Sequence, residues 1–366
     1  MLSFSLRSGS SGNSTYVGTS SARLLVDCGM SGRQLASALK DYDIDPSDID
    51  AILLTHEHVD HCSGVGVVMR RYNLPLFLTE KTYLAVQSSL GNIDESRVHF
   101  IEPGAPFGVR DTEILPFSTP HDAVDTVGFR VYDRTGDVGV CTDLGYFSRD
   151  VRTALRGCRF VFLESNYDVD MLETGPYPRY LKQRIAGRKG HLSNDDAGKA
   201  AVWLVRYGTE ALSLSHLSEN NNHPVRAMMT VREAFHVNGI RVGRDIILQA
   251  SPRYSCSPSF ESASPQIGHK SASVQIERES ESLKVDNKIM LPSIERESAS
   301  AQIGCEGVSY QGECEGGSLQ SENEQLQGEA GSVNTGSGNR LKQTSFLSPE
   351  SLDMMIGRND SNLIGL

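Results

Sequence analysis

From residue 1 to 255, short apolar and β-branched runs alternate with stretches whose apolar residues recur every three or four positions. SFSLR, STYVGT, RLLVDCG, AILLTH and LPLFLT predict strands, and SGRQLASALKDY, GVGVVMRRYN and EKTYLAVQSSL predict helices between and after them. A second set follows. RVHFIE, TEILPFSTP, a hairpin from GFRVYD through RTGD to VGVCTD, then RFVFLES, ALSLSH and DIILQA read as strands, with helices around 195–207 and 224–237. Two β-rich halves, each supplied with helices, predict an α/β fold with a two-sheet core covered on its outer faces.

Beyond Pro252 the periodicity stops. Residues 256–366 hold 20 serines but only three aromatics, Phe260, Tyr310 and Phe346, with near-repeats IERES at 276 and 294 and ASPQIG/ASAQIG at 263 and 299. Such a segment cannot bury enough apolar area to offset an ordering entropy of roughly 1–2 kcal/mol per residue. The expected organisation is one folded domain over 1–255 and a disordered, acidic Ser/Glu/Gly-rich tail over 256–366. Near the end of the tail, SFLSPESLDMMIGR reads either as a chance apolar cluster or as a docking peptide for a protein partner.

This division changes the meaning of the charge. Residues 1–255 carry 27 Lys/Arg and 30 Asp/Glu, against 8 and 16 in 256–366, so the acidic total does not exclude a nucleic-acid partner for the folded part. The seven cysteines are scattered and form no C-x-x-C pair, which suits reduced thiols. Without a run approaching about 18 apolar residues or a leader-like N-terminus, the expected location is the cytoplasm, away from membranes.

The most informative string is THEHVDH, Thr55 to His61, between an apolar strand and an amphipathic helix. In an extended chain alternate side chains share a side, so His56 and His58 can grip one cation while Asp60 and His61 face a neighbouring one. A solvated polar loop would not need three of the chain's ten histidines beside an aspartate. Further ligands are expected at other strand ends, where His121 (STPHDAVD), Asp143 (CTDLG) and His216 (LSLSHLSE) stand. Asp27, Asp122 and Asp125 read equally as carboxylates supporting ligand imidazoles or as ordinary turn and cap residues.

With these residues, and with SGSSGNSTYV, LLVDCGMS, HDA at 121, TDLG, LESNYD, GHLSN and HLSENNNHP, residues 1–255 resemble the metallo-β-lactamase superfamily, in its YycJ/WalJ-type branch related to ribonuclease Z. The resemblance implies an αββα sandwich of two mixed sheets. It also implies two divalent ions, with His56, His58 and His121 on one, Asp60, His61 and His216 on the other, and Asp143 bridging. Five imidazoles and two carboxylates favour Zn²⁺, with Mn²⁺ the competitor. Two adjacent cations make water reactive at neutral pH, so hydrolysis is the expected chemistry, with Asp60 also able to orient the hydroxide.

The substrate must be read outside the metal ligands. PYPRYLKQRIAGRKGHLSN holds Arg179, Lys182, Arg184, Arg188 and Lys189 with no acidic residue before Asp195, a density able to track a phosphate backbone, although a solvated helix face would look similar. His191 follows directly, where the resemblance implies a histidine serving the leaving group, a general acid for a departing sugar oxygen; the alternatives are an extra metal ligand or a helix-entry histidine. The loop Ser8 to Ser14 is either a plain turn or a nest of backbone N–H groups for phosphate. The leading expectation is a metal-dependent DNA phosphodiesterase, implied by the branch to be a 5′→3′ exonuclease, with DNA preferred to RNA. A thioester, lactone or small-phosphoester hydrolase and an interaction module working through the acidic tail are the alternatives, because fold alone does not choose.

Overall fold

The computed structural model describes residues 1–262. The first half runs β1 (Leu2–Arg7), β2 (Ser14–Gly18), β3 (Arg23–Val26), α1 (Gly32–Lys40), β4 (Ala51–Leu53), α2 (Val59–Cys62), α3 (Val65–Tyr72), β5 (Leu76–Leu78), α4 (Glu80–Leu90) and β6 (Val98–Phe100). The second runs β7 (Phe107–Val109), β8 (Thr112–Ser118), β9 (Val127–Val131), β10 (Val138–Cys141), α5 (Arg149–Leu155), β11 (Phe160–Glu164), α6 (Val169–Thr174) and α7 (Arg179–Ile185). It closes with α8 (Asn194–Arg206), β12 (Ala211–Ser215), α9 (Pro224–Val237), β13 (Ile247–Ala250) and β14 (Phe260–Glu261). None of these helices is long and apolar enough to cross a membrane.

The strands form two mixed sheets, ordered β14-β1-β2-β3-β4-β5-β6 and β13-β12-β11-β10-β9-β8-β7. Strand periodicity explains how they stack. Leu24 and Val26 of β3, and Phe160 and Phe162 of β11, point into a core shared by the sheets, whereas Leu25 points towards α1 and α3, and Val161 and Leu163 towards α5 and α8. Burial on both faces makes these strands near-continuous apolar runs. The result is the expected αββα sandwich.

Local signals fix the helix starts. Ser31 and Gln34 form a capping box at α1, Ser193 caps α8, and Pro224 sits in the first turn of α9 behind His223. In the β9–β10 hairpin, Asp133 Oδ2 accepts from the backbone and hydroxyl of Thr135 (2.9 and 2.6 Å), which tightens the turn.

The fold runs past the boundary expected at 255. Ser257 exchanges hydrogen bonds with Ser5 (3.0 and 2.8 Å), the Tyr42 hydroxyl donates to Ser257 O (2.6 Å), and Phe260 pairs beside β1 and packs near Phe160 and Phe162. A single buried aromatic at a paired edge outweighs the serine-rich composition around it. The disorder expected for the tail lies, from 263 on, outside the described residues. A chain ending at 255 is expected to be about 3–5 kcal/mol less stable than one ending at 262, the usual cost of deleting a buried Phe. Melting the two side by side checks this; coincident transitions would mean that β14 contributes nothing.

Candidate metal centre

Both sheets send the carboxyl ends of their parallel strands to one rim, the usual ligand edge of α/β sheets. Asp27 follows β3, Thr55 and His56 follow β4, Asp143 follows β10, Glu164 ends β11 and His216 follows β12. Asp27, Asp143 and His216 have φ of 63°, 58° and 56°, left-handed backbone that turns each side chain sharply off its strand. Asn13 N–H donates to Asp60 O (2.7 Å), Cys28 N–H to His61 O (2.9 Å) and Gly29 N–H to Asn13 O (2.8 Å), so three loops stack behind the HEHVDH turn. Gly29 permits that approach, because a Cβ there would stand 1.6 Å from Asp60 O.

The seven side chains singled out as ligands meet here. One ligand atom from each of His56, His58 and His121 lies within 4.8 Å of the others, and the same holds for Asp60, His61 and His216, and for His56, His61 and Asp143. Asp143 lies between the groups, with Oδ2 3.2 Å from His61 Nε2 and Oδ1 3.7 Å from His121 Nε2.

Outward hydrogen bonds set the imidazole tautomers. His121 Nδ1–H donates to the Gly190 carbonyl (2.9 Å), His61 Nδ1–H to Asp27 Oδ2 (2.7 Å) and His216 Nδ1–H to Glu164 Oε1 (2.9 Å). The Thr55 hydroxyl donates to Asp27, so His56 Nδ1–H donates to Thr55 Oγ1 (2.9 Å). In each neutral ring this leaves Nε2 with a lone pair facing inward, the arrangement that metal-binding histidines use.

His56 Nε2 and Asp143 Oδ2 are buried with no hydrogen-bond partner among the described residues. Orphaned acceptors at one point carry a cost that a cation would remove, and with imidazole and carboxylate donors around them the residues fit divalent metal ions. Burial pushes His56 well below its ordinary pKa. At His61 and His216 burial acts in the same direction, but Asp143 and the neighbouring carboxylates outweigh it, raising His61 well above the ordinary imidazole value and His216 to about 10. The pocket thus concentrates negative charge where a cation would sit.

Glu164 is the principal group that the sequence reading missed. Fully buried, it accepts from Leu144 N–H (2.9 Å), Leu192 N–H (3.0 Å), His191 Nδ1 (2.8 Å) and His216 Nδ1. Burial alone would raise its pKa, but these partners, His191 first, hold it at about 2. In return, although burial disfavours the His191 imidazolium, the Glu164 carboxylate raises its pKa above the ordinary value. With Nδ1 on Glu164, Nε2 of His191 is the nitrogen free to face the cavity. Asn13 is a second omission: its amide donates to Asp60 Oδ2 (3.1 Å) and lies 3.0 Å from His61 Nε2.

The cavity above the cluster measures about 240 Å³ and is walled by Tyr177, Leu181, Arg184 and Ile185 on the α7 side. Of the five basic residues expected to bind substrate, only Arg184 lines it, and its guanidinium is paired with Asp122. Arg179 is exposed and Lys189 likewise, Lys182 Nζ donates to Glu173 O (2.7 Å), and Arg188 lies over the Tyr146 ring at 4.4 Å. The helical turn places Leu181, Arg184 and Ile185 on one face, so Arg179 and Lys182 fall outside the cavity, and Arg188 and Lys189 lie beyond the end of the helix. Asp27 supports His61 as a carboxylate, but Asp125 pairs with Lys81 (3.7 Å) rather than an imidazole. In the Ser8–Ser14 loop, Ser8 Oγ accepts from His216 N–H (2.6 Å) and Ser10 reaches the cavity.

The Beta-lactamase superfamily domain matches residues 22–217. The chain is 39% identical over 250 residues to Exodeoxyribonuclease WalJ of Streptococcus pneumoniae, a match covering 68% of this chain and 93% of that protein. It is 37% identical over 238 residues to Exodeoxyribonuclease YycJ of Bacillus anthracis, covering 65% and 90%. Among solved structures, the metallo-β-lactamase fold protein YhfI from Bacillus subtilis is similar with a TM-score of 0.53 and 18% identity, over 70% of this chain and 98% of the other, a likeness of fold.

Proposed function

Because the chain belongs to the metallo-β-lactamase superfamily, in the branch of the WalJ and YycJ exodeoxyribonucleases, we propose that it is a metal-dependent DNA exonuclease that releases mononucleotides from the 5′ end. The observation that carries the reading is the pairing of seven clustered candidate ligands with an acid, His191, on the same cavity. His56, His58 and His121 would hold one divalent ion, Asp60, His61 and His216 the second, and Asp143 both; the imidazole-rich set favours Zn²⁺, with Mn²⁺ the competitor. When bound, the ions supply polarisation of the scissile phosphoryl group and acidification of water.

The protein's own groups do the rest. Asp60 orients the attacking water through a carboxylate that Asn13 steadies. Arg184 neutralises phosphate charge at the cavity wall. Hydrolysis consumes one water: a new P–O bond forms, P–O3′ breaks, and the departing O3′ takes the proton carried on His191 Nε2. Glu164 holds the opposite nitrogen of that ring and keeps Nε2 aimed at the leaving group. A cytoplasmic location agrees with the free cysteines 28, 62, 141, 158 and 256.

The test uses the purified full chain, stripped with a chelator, on 5′- and 3′-labelled single- and double-stranded DNA and RNA with no metal, Zn²⁺ or Mn²⁺. Expected is mononucleotide release from the 5′ end of DNA, absent after stripping and restored by metal. Hydrolysis of thioesters or small phosphoesters without cleavage of any nucleic acid would overturn the reading.

A further inference from the structure

A site built for phosphates has an apolar wall, and that wall lies beside the proposed acid. Leu181 and Ile185, one turn apart on α7, both line the cavity, and neither carries a donor or an acceptor. Their position relative to His191 is fixed by the backbone. His191 N–H donates to Ile185 O (2.8 Å), and Gly190, whose carbonyl anchors His121, packs so closely that a Cβ there would lie 2.1 Å from Ile185 O.

Taking the exonuclease reading as the premise, we propose that Leu181 and Ile185 are the residues that select deoxyribose over ribose in the nucleotide being released. To leave with a proton from His191, O3′ of that nucleotide must come within hydrogen-bond reach of Nε2, about 3 Å. C2′ is bonded to C3′, and in ribose O2′ lies on the same face of the ring as O3′. Any 2′-hydroxyl therefore enters the surroundings of His191. The ring's outer nitrogen is held by Glu164, and its inner N–H is committed to O3′. On the α7 side the wall is formed by Tyr177, Leu181, Arg184 and Ile185, of which Leu181 and Ile185 offer the hydroxyl no hydrogen-bond partner. A hydroxyl stripped of water without a partner is disfavoured, and a hydrophobic wall rejects an added hydroxyl by no more than roughly 100-fold. Deoxyribose presents a C–H bond there and incurs no such cost. Of the polar side chains on this side, the Arg184 guanidinium is paired with Asp122, and the Tyr177 hydroxyl accepts from Asn220 Nδ2 (2.8 Å).

The experiment compares the full-length protein with its Ile185→Thr and Leu181→Asn variants, each supplying a polar group to the wall. α7 has no buried residue, so neither substitution opens a core. The substrates are 5′-phosphorylated oligodeoxynucleotides, all-DNA, or carrying one ribonucleotide at the first or at the third position. For the unaltered protein, release of the first nucleotide is expected to favour deoxyribose by about 10- to 100-fold in kcat/KM. In at least one variant the ratio is expected to fall towards one through a faster reaction of the ribonucleotide. A ribonucleotide at the third position leaves release of the first unchanged. Efficient DNA degradation with a ratio near one, or variants that both retain the full ratio, would overturn the sugar-selection proposal and leave the exonuclease reading standing. Absence of turnover on every oligonucleotide would instead remove the exonuclease reading and this inference with it.

Discussion

Replacing Asp143 by Asn is expected to lower turnover by roughly 10³-fold, the upper range for one preorganised electrostatic group, and to abolish the stabilisation that divalent metal confers. Asp143 is 1% exposed, lies between the two imidazole groups, and has one buried oxygen without a partner. A ligand that binds only the folded state stabilises it by about 2.7 kcal/mol at one hundred times its dissociation constant. Melting curves of the stripped protein with and without Zn²⁺ or Mn²⁺ read this directly. The unaltered chain should show the gain and the Asn variant little or none. An unchanged gain in the variant would mean that Asp143 is not part of the metal centre.

The second large effect is expected at Glu164. Glu164→Gln keeps the shape but leaves a single carbonyl oxygen where two carboxylate oxygens accept from Leu144, Leu192, His191 and His216. Breaking a buried charged network at one partner costs about 3–5 kcal/mol, which denaturant unfolding will register. Stability loss alone would fit a merely structural role, so the informative measurement is the leaving group. Glu164 acts through His191, so turnover on DNA, whose sugar oxygen needs a proton, should fall by roughly 10²-fold or more. Turnover on a p-nitrophenyl phosphodiester, whose leaving group departs without one, should fall much less. Equal losses on both substrates would remove Glu164 from proton delivery.

What the sequence disclosed depended on how local each signal was. HEHVDH is legible because four candidate ligands fall within six consecutive residues, and the strands because burial on both faces leaves near-continuous apolar runs. His121, Asp143 and His216 could be nominated because each follows such a run. Glu164 could not, since in RFVFLES it is simply the polar end of a strand, and its role depends on two backbone N–H groups from turns distant in the chain. Asn13 is concealed in the same way within a serine- and glycine-rich loop. In the basic segment, density did not show which cations face the cavity: of five in eleven residues only Arg184 lines it, because α7 turns one face to it and ends before Arg188 and Lys189. The Leu181–Ile185 spacing, an apolar pair on an otherwise polar helix, was the available sign of which face that is. Phe260 was similarly the one informative residue in a composition that argued for ending the fold sooner.

The positive backbone angles at Asp27, Asp143 and His216 have a practical consequence for anyone mutating this rim. Aspartate and asparagine tolerate that conformation, whereas other non-glycine residues incur about 1–2 kcal/mol there. An alanine scan across these positions would therefore mix two injuries, lost chemistry and a main chain pulled out of shape, in proportions the assay could not separate. Asparagine removes the charge and spares the peptide geometry, which makes it the cleaner choice for an inert form that still grips its substrate.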